Sequence, residues 1–153
     1  MAQPAGQLQL SVSHALSQGE GTVVAVPDTS AEASHPALTG RLQRAWDYVD
    51  DDPDPAESRN GRDDDGDKAI DESYGQGTFV AGTVALTAPK ARIRPMRVLN
   101  SDGRGNLFVV AEAIIESSID DALPGRTGGG AGRQRAPSRP APARAVLELE
   151  SLG

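Results

Sequence analysis

Tyr74-Gly75-Gln76-Gly77-Thr78-Phe79-Val80-Ala81-Gly82-Thr83-Val84 is the stretch on which the fold turns. Gly75 to Ala85 reads as a helix, and its small residues Gly77, Ala81 and Gly82 allow close packing on a sheet. Upstream, Thr22 to Val26 is a short apolar run of the buried-strand kind, Ser11 to Ser17 is a short helix before it, and Arg44 to Val49 is a second extended piece. Downstream, Ala91 to Leu99 is a strand. It leads through the turn Asp102-Gly103-Arg104-Gly105 into a helix from Asn106 to Ile119, with Asn106 as its N-cap. Alternating strands and helices imply right-handed crossovers on a parallel sheet.

Two ordered motifs carry a family resemblance. The stretch from Tyr74 to Val84 resembles the catalytic-histidine helix of the subtilisin-like serine proteases, the subtilases, which reads His-Gly-Thr-x-Val-Ala-Gly; Gln76 stands at the histidine position. Val23-Val24-Ala25-Val26-Pro27-Asp28-Thr29-Ser30 and then Ser34-His35-Pro36-Ala37-Leu38 resemble the strand bearing the catalytic aspartate and the His-Pro-x-Leu turn after it. The resemblance covers residues 7 to 116. It implies an α/β fold, an incomplete parallel sheet of the doubly wound, subtilisin-like kind with flanking helices. It also implies peptide-bond hydrolysis as the ancestral activity, with polypeptide as substrate. The family's oxyanion Asn and Gly-Thr-Ser nucleophile turn have no counterpart between Ile119 and Gly153.

In a Ser-His-Asp triad the histidine takes the serine proton and returns it to the leaving amine, while the aspartate fixes the imidazole tautomer. Only Asp28 matches a triad member. The amide of Gln76 does not titrate near neutral pH, so it supplies no general base. No serine lies in a Gly-Thr-Ser or Gly-x-Ser-x-Gly context, since Gly21-Thr22 and Gly77-Thr78 are followed by Val and Phe. His35 matches the structural turn and His14 falls in the first short helix, so neither replaces the base. The expected product is an inactive, truncated subtilase-like chain, a pseudoenzyme; the alternative is a non-catalytic module that binds calcium or a peptide.

The acidic loop carries the second piece of chemistry. Residues 47 to 72 hold twelve of the twenty-two acidic side chains against Arg59, Arg62 and Lys68, so this segment carries −9 of a net charge of −7 and the rest sums to +2. That distribution speaks against a nucleic-acid surface and for a cation site. Asp63-Asp64-Asp65-Gly66-Asp67-Lys68-Ala69-Ile70-Asp71 matches the start of an EF-hand-like loop. Asp63, Asp65 and Asp67 take positions one, three and five, the Ala69 carbonyl takes seven and Asp71 takes nine. Two departures weaken such a site. Lys68 occupies the sixth position, where glycine makes the sharp turn, and Tyr74 takes position twelve in place of the bidentate Glu; Glu72 substitutes only in a shifted register. Subtilases often carry such loops before the histidine helix, so the resemblance supports weak Ca²⁺ binding, in the ~10⁻⁴ to 10⁻³ M class. A solvated charge run is the competing reading.

The chain has 153 residues, about one domain, with 3% aromatic residues and no cysteine, which excludes disulfides, thiol chemistry and zinc-thiolate sites. No apolar run approaches the roughly eighteen residues of a membrane span. Met1 to Gly6 lacks the basic and apolar regions of a signal peptide, although subtilases are typically secreted. The expected organisation is an N-terminal segment over 1–20, a partial peptidase domain over 21–120 with the acidic loop at 50–75, and a Gly/Pro/Arg-rich tail over 121–153. The tail lacks an apolar period, is expected to be disordered, and ends in the alternating run Ala145-Val146-Leu147-Glu148-Leu149-Glu150. Three departures from the family pattern carry physical penalties: Pro27 in a strand, Arg94 at an apolar position, and Ser30 at a glycine turn. An uncovered sheet edge is expected to promote self-association.

Overall fold

The computed structural model describes residues 9–122; the expected disorder of the tail lies outside them. In chain order the elements are α1 (Leu10–Leu16), β1 (Val23–Asp28), β2 (Trp46–Asp47), α2 (Gln76–Thr87), β3 (Arg92–Arg97) and α3 (Leu107–Ala122). The strands form one parallel sheet in the order β1-β3-β2, with Val23 opposite Arg92 and Asp28 opposite Arg97.

The two long helices cover opposite faces of this sheet. Side chains alternate along a strand, so Val24 and Val26 of β1 and Ile93 of β3 meet Val80, Ala81, Val84 and Ala85 of α2, with Leu38 and Leu42 closing the cluster. Ala25, Met96 and Val98 face the other way and meet Val110 and Ala113 of α3. This is the doubly wound arrangement, helices on both faces of a parallel sheet. Fully buried side chains such as Ile93 and Leu38 each contribute about 1.5–3 kcal/mol.

Two prolines shape the sheet. The carbonyls of Thr22 and Asp28 accept the N–H groups of Arg92, the first residue of β3, and of Val98, just past its end, at 2.9 Å each. Backbone polar groups alternate sides along a strand, so residue 27 turns its own toward the open outer edge of β1, where the N–H missing from Pro27 leaves no gap in the ladder. Pro27 therefore extends the strand to Asp28 instead of ending it. Pro95 acts differently, because β3 is central. On the β2 side Ile93 donates to the Arg41 carbonyl at 3.0 Å and Arg97 accepts from Tyr48 N–H at 2.8 Å. Pro95 lies between them without an N–H to give. The ladder breaks there into an isolated bridge at Leu42 and the two-residue strand Trp46–Asp47, shorter than the extended piece expected over 44–49.

The remaining elements follow local chemistry. Asn106 caps α3, its Oδ1 accepting from Phe108 N–H at 2.9 Å. Arg94 lies on the α3 face of the sheet, half-buried and engaged, so the penalty expected for an unpartnered guanidinium does not apply. Arg97 at the end of β3 is buried and pairs with Asp47 and Asp50, which ties β2 and the start of the acidic segment to the central strand. No helix among the described residues is long and apolar enough to cross a membrane.

Candidate functional site

Asp28 is the last residue of β1 and is buried at the carboxyl end of the sheet, the side where open α/β sheets place functional groups. Its Oδ1 accepts the N–H of Thr29 at 2.7 Å. From Thr29 onward a hydrogen-bond network runs to the entry of α2. Thr29 Oγ1 accepts from Gly77 N–H at 3.1 Å and donates to Glu57 Oε1 at 2.7 Å. Glu57 Oε1 also accepts from Gly75 N–H at 2.6 Å, and its Oε2 accepts from Thr78 Oγ1 at 2.8 Å. Thr78 Oγ1 in turn accepts from Glu32 N–H at 2.8 Å.

The buried Glu57 carboxylate thus takes three donors and anchors the first turn of α2, which is otherwise without an acidic residue. Carboxylates at helix N-termini are favoured by the macrodipole and by the free N–H groups there. The packing is close enough to require glycine. A Cβ on Gly77 would lie 1.8 Å from the Ser30 carbonyl oxygen. Ser30 itself adopts φ 99°, the left-handed backbone that the family's glycine accommodates, and its hydroxyl donates to the Pro55 carbonyl.

Gln76 is the first residue of α2 and is exposed. The Gly77–Thr29 hydrogen bond joins the residue after Gln76 to the residue after Asp28. Among the described residues its side chain makes no hydrogen bond, to Asp28 or to any other group. Of the two residues expected at triad positions, Asp28 is thus a buried carboxylate at a strand end and Gln76 an exposed amide, a group that does not titrate near neutral pH. The two histidines are engaged elsewhere: His14 Nε2 lies 3.1 Å from the Thr87 carbonyl and His35 Nδ1 lies 3.3 Å from Ala37 N.

The acidic loop divides the five candidate ligands. Asp63, Asp65 and Asp67 are exposed and bring carboxylate oxygens within 4.8 Å of one another. Asp63 accepts from Gly66 N–H at 2.6 Å and Lys68 N–H at 2.9 Å, and the first of these holds its carboxyl below the usual range. Ala69 donates its N–H to Asp67 at 2.7 Å. Asp71 lies apart from the trio, its carboxylate accepting the N–H groups of Asn60 and Gly61. Lys68 adopts φ 77°, so the sixth position requires the backbone that glycine prefers.

Asp102, in the turn before α3, was not legible as a site residue. Buried, it accepts the N–H groups of Asp64 and of Asp71, the latter at 2.7 Å, and so clamps both ends of the loop. Asn100 Nδ2 and the Arg104 guanidinium add bonds to Asp64 at 2.7 and 2.9 Å. Glu57 is equally silent in the sequence. The only cue was that it is the one glutamate among the aspartates from 47 to 71.

Comparison with known proteins agrees with this geometry. The sequence profile of the subtilase family matches residues 19–126. Thermitase of Thermoactinomyces vulgaris is 34% identical over 109 residues, covering 65% of this chain and 34% of that protein. The intracellular serine protease of Paenibacillus polymyxa is 34% identical over 116 residues, covering 67% and 32%. The chain thus spans about a third of the length of these relatives. Among solved structures, a lanthipeptide protease superposes with a TM-score of 0.60 at 24% identity over 76% of this chain and 31% of its own, a likeness of fold. A cold-adapted subtilisin-like serine proteinase gives 0.54 at 26% identity over 68% and 34%.

Proposed function

Because this chain belongs to the subtilase family, we infer that it is a serine endopeptidase by descent whose own proteolytic chemistry has been lost, with polypeptide as the class of molecule its fold addresses. The observation that carries this reading is Gln76 at the head of α2. An amide there neither accepts a serine proton nor delivers one to a leaving amine, and Asp28 has no imidazole to orient. No serine of the chain stands in a nucleophile motif. The expected result is no hydrolysis of casein or peptide esters and no labelling by a fluorophosphonate, with Gln76→His equally inert. Stoichiometric labelling of a single serine would overturn the reading, because that reaction requires an activated hydroxyl.

A second, compatible function rests on the convergence of Asp63, Asp65 and Asp67. Three carboxylates this close repel one another, and a Ca²⁺ ion relieves that repulsion while gaining hard oxygen ligands. Bound there, calcium would supply charge neutralisation that stabilises the loop, and no step of catalysis. Asp71 sits outside the trio, so the site offers few protein ligands, consistent with weak binding. For the peptide-binding form of the module, the deciding measurement is saturable peptide binding without turnover. The open outer edge of β1 is a further surface for pairing with extended chain.

A further inference from the structure

Helix α3 is oriented against its own hydrophobic pattern. Toward the sheet it turns Val110, Ala113 and Glu116, the last buried with Oε2 accepting from Tyr48 Oη at 2.5 Å and Oε1 without a hydrogen bond. Away from the sheet it turns Leu107 (78% exposed), Phe108 (84%), Ala111, Ile114 (49%), Ile115 (54%) and Ser118. Spacings of three, four, seven and eight place these on one side of a helix, an apolar stripe about three turns long. A stripe of this kind in water marks an interaction surface.

We propose that this face pairs with the same face of a second copy of the chain, α3 against α3, antiparallel about a two-fold axis. The ends of the helix argue for that occupant and that direction. Its first turn has no acidic residue and its last turn no basic one. Each end therefore leaves its own macrodipole uncompensated. An antiparallel copy sets the positive N-terminal end of each helix, with the exposed Arg104 just before it, beside the negative C-terminal end of the partner's helix, so both ends are compensated at once. A two-fold contact needs only one self-complementary patch. The apolar side chains expose on the order of 500 Å² per chain, about 1,000 Å² in a pair, the size of a weak but specific contact.

Sedimentation velocity on the full chain tests this. The expected behaviour is reversible monomer–dimer exchange in the micromolar range. Ile115→Asp is expected to raise the dissociation constant at least about tenfold with helicity by circular dichroism unchanged, and Phe79→Ser, on α2, to leave it unaltered. The chain has no cysteine, which allows a second arm should Ile115→Asp unfold. Mixed single-cysteine chains, Leu107→Cys and Ser118→Cys, are expected to form a disulfide between unlike chains in preference to like. A monomer at high concentration, dimers that survive Ile115→Asp, or a preference for like-with-like crosslinks would overturn the proposal. So would association lost in Ala25→Pro but kept in Ile115→Asp, which would assign it to the edge of β1.

Discussion

Helices α2 and α3 cover opposite faces of one sheet and solve the packing problem in opposite ways. α2 lays Gly77, Ala81 and Ala85 against the strands, comes so close that position 77 admits no side chain, and has its entry held by a carboxylate with all its donors in place. α3 stands on a looser contact that includes a glutamate with one unsatisfied oxygen, and leaves its large apolar residues outside. The first is a contact specified by small residues and backbone, which tolerates little change. The second is a small apolar contact of Val110 and Ala113 on Ala25, Met96 and Val98 with a polar pair, Glu116 and Tyr48, at its side, and most of the helix's hydrophobic potential is still unspent.

The sharpest way to break that contrast is at the closest approach. Gly77→Ala is expected to destabilise the chain by about 3 kcal/mol or more, because the new methyl meets a backbone carbonyl that has nowhere to move. Gly82→Ala on the same helix meets nothing within 4 Å and is expected to stabilise by about 0.5–1 kcal/mol. Denaturant titration of the two variants gives both values, and similar effects at both positions would sink the packing argument.

The two glutamates give the next largest difference. Glu57→Ala leaves Thr29, Gly75 and Thr78 without their acceptor and is expected to lower stability by about 2–4 kcal/mol. Glu116→Ala gives up one bond from Tyr48 but also removes a buried oxygen that has no hydrogen bond, so its expected effect is within about 1 kcal/mol. Equal losses in thermal melts would mean that the α3 contact is as specified as the α2 contact.

The acidic loop joins the entries of both helices, since Ser73 donates its N–H to the Ser101 carbonyl at 2.8 Å and Asp102 clamps residues 64 and 71. Lys68→Gly removes a positive charge beside the carboxylate trio and relieves the left-handed backbone at 68. It is expected to tighten Ca²⁺ binding about fivefold, roughly 1 kcal/mol, while Asp65→Ala weakens it. If calorimetry finds wild type and both variants alike, the loop is a solvated acidic run and contributes to neither helix through a metal.

The smallest effect concerns the exit of α2. Lys90, just beyond that helix, pairs with Glu20 before β1 at 2.8 Å. The hydrogen bond from Lys90 lowers the Glu20 carboxyl from 4.5 to about 2. A carboxyl depressed in the folded state contributes stability above its ordinary pKa and loses it as pH falls through the folded value. The contribution should therefore fade between pH 4.5 and 2, and both side chains are half exposed, so it should be small. Carboxyl titration by NMR should show Glu20 protonating near pH 2 in wild type and markedly higher in Lys90→Ala; an unchanged midpoint would remove the tie.

By itself the sequence determined the element order and the family. Those rest on local signals: a small-residue helix with Gln76 at its head, an apolar strand ending at Asp28, and Asn106 before a run of helix formers. That Gln76 brings no proton-transfer group to the head of that helix was equally legible, because an amide does not titrate near neutral pH. Only the tertiary structure decided what joins these parts. Glu57 meets Thr29 and Thr78 across 28 and 21 residues of chain, and Asp102 meets Asp64 across 38, pairings with no local periodicity to betray them. The effect of each proline also waited on strand order, since Pro27 is harmless on an edge and Pro95 breaks a ladder in the centre. The orientation of α3 is the clearest case. Its pattern alone would bury Leu107, Phe108 and Ile115. The sheet beneath it meets Val110 and Ala113 with Ala25, Met96 and Val98, and its Tyr48 takes Glu116; polar groups taken out of water need partners more than an apolar stripe needs cover.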